Sequence, residues 1–253
     1  MSHAWNARAM TNRRRVLAGT SMALLFALAG RTQAKIIAGK IPWWPDAGDP
    51  PKPVKPGAWQ FFTPEEAGAI EAMVDRLIPP DPQTPGGKDA GVAVFIDAQL
   101  AGPFGSSQGL YMRPPFHDGA PQQGPQAPLT PAMRYRQSLA ALDAYCKGKF
   151  AGKPFKDIPD AQKDEVLTGL EKGSVQLAGA SAKAFFELLL QNTQEGFFAD
   201  PIYGGNRNMA AWKMIGFPGA RYDYRDWVER HNQRYPLPPV AIGGHRTAAP
   251  GAA

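Results

Sequence analysis

From residue 60 onward the apolar positions of this 253-residue chain recur at helical spacing, with no sustained alternation of period two. Thr63, Pro64 and Glu66 predict a helix start: a threonine cap, a proline in the first turn, and a glutamate three residues after the cap to close a capping box. Ile70, Met73, Val74, Leu77 and Ile78 then share one face, and Pro79 with Pro80 stops the run. A second helix is predicted from Gly91 to Ala101, with Val92, Phe95, Ile96 and Leu100 inward. Thr130 and Pro131 repeat the cap-and-proline signature for a third, whose inward positions are Tyr135, Leu139, Leu142 and Cys146. A fourth covers about Pro159 to Lys172 around Val166, Leu167 and Leu170. The fifth runs from about Ser181 to Glu195, places Phe185, Leu188, Leu189 and Asn192 on one side, and is expected to stop at Gly196. The expected fold class is all-α: about five main helices in an irregular bundle with long Pro/Gly-rich loops and an aromatic-rich C-terminal wrapping segment. No βαβ unit that would hold a dinucleotide is foreseen.

Composition limits how much of the chain this bundle can use. The 26 Pro and 27 Gly make up about a fifth of the residues, so a large share is loop or extended chain and the core is smaller than the length implies. Residues 35–59 form a Pro-rich extended leader in which the prolines forbid helix: either Trp43, Trp44 and Trp59 lie on the domain or on another subunit, or the stretch is a disordered linker. Residues 102–129, rich in Gly, Pro and Gln, are too long for a plain connection, and a binding role fits them. From Phe197 to Tyr235 the chain is dense in aromatics, arginines and glycines. Such a segment either anchors a partner or wraps its own core. The candidate partner-interface residues are Phe198, Asp200, Tyr203, Asn206, Arg207, Trp212, Phe217, Arg221 and Tyr222, together with Trp43 and Trp44. The organisation expected is a signal over residues 1–34, the leader over 35–59, a helical domain over 60–240 and a flexible tail over 241–253.

Charge bears on the first 34 residues alone. Arg8, Arg13, Arg14, Arg15 and Arg31, unopposed by any acid, supply five of the charges in the formal net charge of +6, leaving +1 for the rest. A mature chain near neutrality lacks the footprint of a polyanion binder, so nucleic acid is not an expected partner. Arg13 and Arg14 are an arginine pair, followed after one residue by the apolar Val16 and Leu17. The apolar stretch from Val16 to Gly30 is too short for a comfortable membrane span, and Thr32, Gln33 and Ala34 suit a cleavage site. This is the twin-arginine export arrangement, with ordinary secretion or a retained anchor as its alternatives. The twin-arginine route carries folded proteins, which is chiefly useful when a cofactor is loaded before export.

The remaining sequence offers no evident place for such a cofactor. Cys146 is the single cysteine, which leaves no disulfide, no CxxCH haem attachment, no iron-sulfur ligand set and no cysteine-based zinc site. His3, His117, His231 and His245 do not pair at ligand spacing. GxGxxG after a strand and GxxxxGK[ST] do not occur, and YGGNR from Tyr203 to Arg207 reads as a tight turn. Asp200, Asp223 and Asp226 could serve acid and base chemistry, so an independent periplasmic hydrolase is one rival expectation. A stand-alone periplasmic binding or scaffold protein is another.

Two stretches carry a resemblance: FFTPEEAGAIEAMVDRLIPPDPQTPGGKDAGVAVFIDAQLAG, residues 61–102, and GFFADPIYGGNRNMAAWKMIGFPGARYDY, residues 196–224. With the helix between Pro131 and Tyr145 they resemble the small subunit of the gluconate 2-dehydrogenase type over most of residues 60–240. The resemblance implies a non-catalytic accessory subunit of a three-subunit, membrane-bound sugar or sugar-acid dehydrogenase. FAD would sit in a large flavoprotein subunit and haem c in a multi-haem cytochrome c subunit, with no cofactor in this chain. The twin-arginine translocase would carry the signal-less flavoprotein across together with this chain, placing the complex in the periplasm at the inner membrane. Relatives serve dehydrogenases of gluconate, 2-ketogluconate, fructose and sorbitol, so the resemblance leaves the substrate open.

Overall fold

A computed structural model of the chain describes residues 52–117, 119, 120, 123, 128–221 and 223–243. The expectations placed on Arg13, Arg14, Val16, Leu17, Trp43, Trp44 and Tyr222 lie outside the described residues. The described residues fall within one unit and are all-α, without strands. Six α-helices follow one another: α1 Pro64–Leu77, α2 Val92–Ala101, α3 Pro131–Lys149, α4 Asp160–Lys172, α5 Ala182–Phe198 and the short α6 Ala210–Ile215. The first five match the periodic segments of the sequence. The sixth is an addition, too short to show a period.

Helix α1 begins as its cap chemistry dictates. The Glu66 amide donates to Thr63 Oγ1 at 3.3 Å and the Thr63 amide to Glu66 Oε2 at 2.8 Å, satisfying two otherwise orphaned donors. Ile70, Met73 and Val74 lose all contact with solvent, each burial stabilising by roughly 1.5–3 kcal/mol. Arg136 of α3 clasps the same start, donating to Glu66 and to the Phe61 carbonyl with its guanidinium 4.1 Å over the Phe61 ring. Helix α5 is the central element and touches each of the other five. Phe185 and Leu189 fill the core from it, and Tyr135 of α3 meets Phe185 edge-on at 5.6 Å. The Tyr135 hydroxyl donates to Asn192 Oδ1 at 3.0 Å, pairing two polar groups inside the core. Burial drives the Tyr135 hydroxyl pKa far above its ordinary value and pushes the Cys146 thiol up to about 11, leaving both uncharged packing groups.

Two features depart from the expectation. Gly196 does not end α5, which continues to Phe198. A side chain at Gly196 would stand 2.8 Å from Cδ1 of Phe95, and a Cβ on Gly205 would lie 2.0 Å from the Gly196 carbonyl oxygen. Here glycine permits three segments to approach closely, and helix termination is not its role. The second feature is Asp97, on a helix whose expected inward positions were Val92, Phe95, Ile96 and Leu100. It is 4% exposed and accepts from the amides of Gln60 at 2.8 Å, Phe61 at 3.0 Å and Phe62 at 2.9 Å. The carboxylate thus anchors the chain entering α1 onto α2.

The C-terminal part of the leader is laid on the domain. The Val54 amide donates to the Ile202 carbonyl at 2.8 Å, Val54 packs on Gly204, and Trp59 meets Phe62 edge-on. The loop after α2 folds back at its start: Gly105 donates to Gln99, and its carbonyl accepts from Ala132 of α3. Beyond that turn Leu110 and Tyr111 stand exposed. No helix among the described residues is long and apolar enough to cross a membrane.

Candidate functional site

The segment after α5 is built by polar side chains that turn inward. Asp200 caps a single 3-10 turn, Pro201–Tyr203, by accepting from the Ile202 amide at 2.9 Å on one oxygen, while its other oxygen accepts from Ile242 at 2.7 Å. Asn206 is fully buried in the left-handed region at φ 43°, a conformation asparagine tolerates better than most residues. Its Nδ2 donates to the Ala199 carbonyl and its Oδ1 accepts from the Ala211 amide, both at 2.9 Å, so it ties the end of α5 to the start of α6. The Trp212 indole N–H donates to the Phe198 carbonyl at 2.8 Å. Tyr203 is half-buried against the core. The Arg207 amide donates to the Ala90 carbonyl at 3.0 Å, and its Nε packs against Gly91, whose φ of 82° and lack of Cβ make the approach possible.

What remains outward is apolar and aromatic. Helix α6 turns Ala211 and Trp212 in, and Lys213, Met214 and Ile215 out, with Met214 48% and Ile215 58% exposed. Gly216 at φ 72° closes the helix, the Phe217 amide returns to the Trp212 carbonyl at 2.9 Å, and the two rings meet edge-on at 5.1 Å. Phe198 and Phe217 are both exposed. Opposite α6 runs a wall from Tyr235 to Pro239. It is fixed by Ala220 donating to Val240 at 2.6 Å, by Val240 donating to Pro218 at 3.2 Å, and by Arg221 donating to the Pro238 carbonyl at 2.7 Å. The Arg221 guanidinium lies 5.3 Å over the Tyr235 ring. Between wall and helix lies a groove of about 390 Å³ floored by Trp212 and Phe217.

Of the residues foreseen from sequence, Asp200, Asn206 and Trp212 hold this segment together, Tyr203, Arg207 and Arg221 are half-buried beside it, and Phe198 and Phe217 face outward. The segment's residues are therefore divided between those that wrap the core and those that face outward. The outward residues Met214, Ile215, Leu237, Lys213 and Arg234 were not anticipated. The one available signal was Met214, which follows Trp212 by two residues and so falls on the far side of a helix from it, while the spacing gives no such mark for Ile215 three residues on.

Of the three aspartates considered for acid and base work, two are engaged in structural hydrogen bonds. Asp200 has both oxygens on backbone amides. Asp223 accepts from Arg225 at 2.6 Å, and that hydrogen bond holds its carboxyl below the ordinary carboxylate range. Asp226 is exposed in the next turn. Among the described residues no three His, Cys, Asp or Glu side chains gather where they could hold a metal ion. A second concavity of about 240 Å³ lies between α1, α3 and the Phe155 turn, with Leu139, Leu142 and Phe155 as its floor and charged residues at its rim.

Comparison with curated proteins and with solved structures gave no match. A family model described as gluconate 2-dehydrogenase subunit 3 matches residues 64–219, a span that begins at the first residue of α1 and ends beside the groove at Gly219. That span covers well over half of the chain, and the chain belongs to the gluconate 2-dehydrogenase subunit 3 family.

Proposed function

We propose that this chain is a non-catalytic small subunit of a periplasmic, membrane-bound dehydrogenase that oxidises a sugar or sugar acid of the gluconate type. In this reading the substrate is oxidised at FAD in a large flavoprotein subunit, and electrons leave through a cytochrome c subunit. The small subunit brings the folded flavoprotein through the twin-arginine translocase and stabilises it afterwards. The observation that carries the reading is the family match over residues 64–219, a family of accessory subunits of a dehydrogenase complex. Two further observations support it. Arg13 and Arg14 precede Val16 and Leu17 in the order of a twin-arginine signal. The segment after α5 leaves Met214, Ile215 and Phe217 uncovered in a way that a partner surface would relieve.

The test is to replace Arg13→Lys with Arg14→Lys in the native host and follow the flavoprotein by fractionation and by periplasmic dehydrogenase activity. The flavoprotein is expected to stay in the cytoplasm in its folded, flavin-loaded form. Undiminished periplasmic activity would sink the export role.

A further inference from the structure

We propose that the grooves flanking the end of α6 receive an extended segment of the flavoprotein partner, apolar in its contacts and carrying carboxylates. The inference rests on the accessory-subunit reading and adds to it the surface and the chemistry of recognition. Two concavities meet there. The first, of about 390 Å³, is lined by Trp212, Phe217, Tyr235 and the wall from Pro236 to Pro239. The second, of about 530 Å³, is lined by Met214, Ile215, Asn232 and Gln233. They share Lys213, Gly216, Arg234 and Tyr235, so they lie side by side on one face.

Its electrostatics choose the occupant. Lys213 and Arg234 are the charged residues lining both concavities, both are exposed, and neither forms an ion pair among the described residues. Among the described residues no aspartate or glutamate lines either one. Two unpaired cations over an aromatic and proline floor attract carboxylates and repel a second copy of the same face, since a two-fold pairing would set cation against cation. The wall fixes the mode of contact as well. Pro236, Pro238 and Pro239 have no amide hydrogen to offer, so an incoming chain cannot add to this wall as a paired strand. It must bind by seating apolar side chains against Phe217, Leu237 and the prolines, with its carboxylates at Lys213 and Arg234. Because backbone hydrogen bonds at Val240 and the Arg221 side chain at the Pro238 carbonyl hold the wall in place, the groove beside it is formed before anything enters it.

The experiment places the photo-crosslinking residue benzoylphenylalanine at Met214 or at Leu237 of the full chain in its native complex. A comparison position is Leu110, exposed on the loop after α2. After illumination, the expected result is an adduct from 214 and 237 to the flavin-containing polypeptide, mapping to an acid-bearing stretch. Lys213→Glu combined with Arg234→Glu is expected to reduce that adduct at least about tenfold, since like charges would then face each other. Adducts from 214 and 237 to a second copy, to the chain's own tail or to lipid would overturn the assignment. So would flavoprotein adducts from Leu110 with 214 and 237 silent, or indifference to the double charge reversal. In those cases the accessory-subunit reading survives. If the wild-type chain purifies from membranes with no flavoprotein at all, it is the accessory-subunit reading that fails.

Discussion

At the scale of single residues, Asp97 and Gly196 matter most to stability. The Asp97 carboxylate satisfies three amides ahead of α1, two of them on residues packed into or against the core. Removing it by Asp97→Ala leaves donors that water reaches poorly, at a cost of about 2–4 kcal/mol. In thermal unfolding that should lower Tm by roughly 5–15 °C for a domain of this size. A variant that melts with the wild type would show that the three amides find other acceptors. Gly196→Ala sets two effects against each other. Alanine raises helix propensity by about 1 kcal/mol, but its methyl would meet the buried Phe95 ring at 2.8 Å, an overpacking that costs about 1–3 kcal/mol. Net destabilisation in urea unfolding is expected, relieved when Phe95→Leu is added. If the alanine variant is the more stable one, the ring has room to move. Neither residue was legible in its role from sequence. The Asp97 partners lie more than thirty residues away, and a glycine near a helix end looks the same whether it stops the helix or admits a neighbour.

At the scale of elements, the local rules worked wherever the determinants are close in sequence. Thr63 with Glu66 and Thr130 with Pro131 set the starts of α1 and α3, and the apolar faces of α1 to α5 turned inward as their spacing required. Helix α6 escaped because six residues hold less than two turns, too few for a period to emerge. Charge joins elements as well as length does. Arg76 in the last turn of α1 grips Asp164 of α4 with two hydrogen bonds, at 2.7 and 2.6 Å, and also reaches Asp160 at 3.2 Å. The Arg76 hydrogen bond holds the Asp164 carboxyl below its ordinary value. A depressed folded-state value means that the pair's contribution is complete above the unfolded value of about 4 and is lost as pH falls through the folded one. Since both side chains remain partly exposed, the amount is at most about 1 kcal/mol. Asp164→Asn should therefore be less stable than wild type at pH 7, with the gap closing toward pH 3 in urea titrations. A gap that persists unchanged in acid would mean that packing, and not charge, distinguishes the two.

At the scale of the whole molecule, the helical class and the family were legible, the latter because the irregular turns from residue 196 to 224 are hard to reproduce by chance. The proposed docking face was only half legible. Aromatic and arginine density drew the eye to the segment that carries it, but composition does not say which side chains a fold consumes. Asp200, Asn206 and Trp212 were needed to bend the chain around α5, and that use left Met214, Ile215 and Phe217 for something else. The export prediction belongs to this scale too, because the two arginines act on the partner only if the domain holds it firmly during passage.

The placement of Val54 bears on the proposed passage. A polypeptide drawn by its front end meets its first described fixed point where Val54 is tied to Ile202, and the next where Asp97 grips residues 60–62. Traction is thus handed to the turn behind α5 and to the flank of α2 before it reaches the first coil of α1. The domain can be hauled as a unit from a tether rooted in its middle, and α1 need not be the part that unravels.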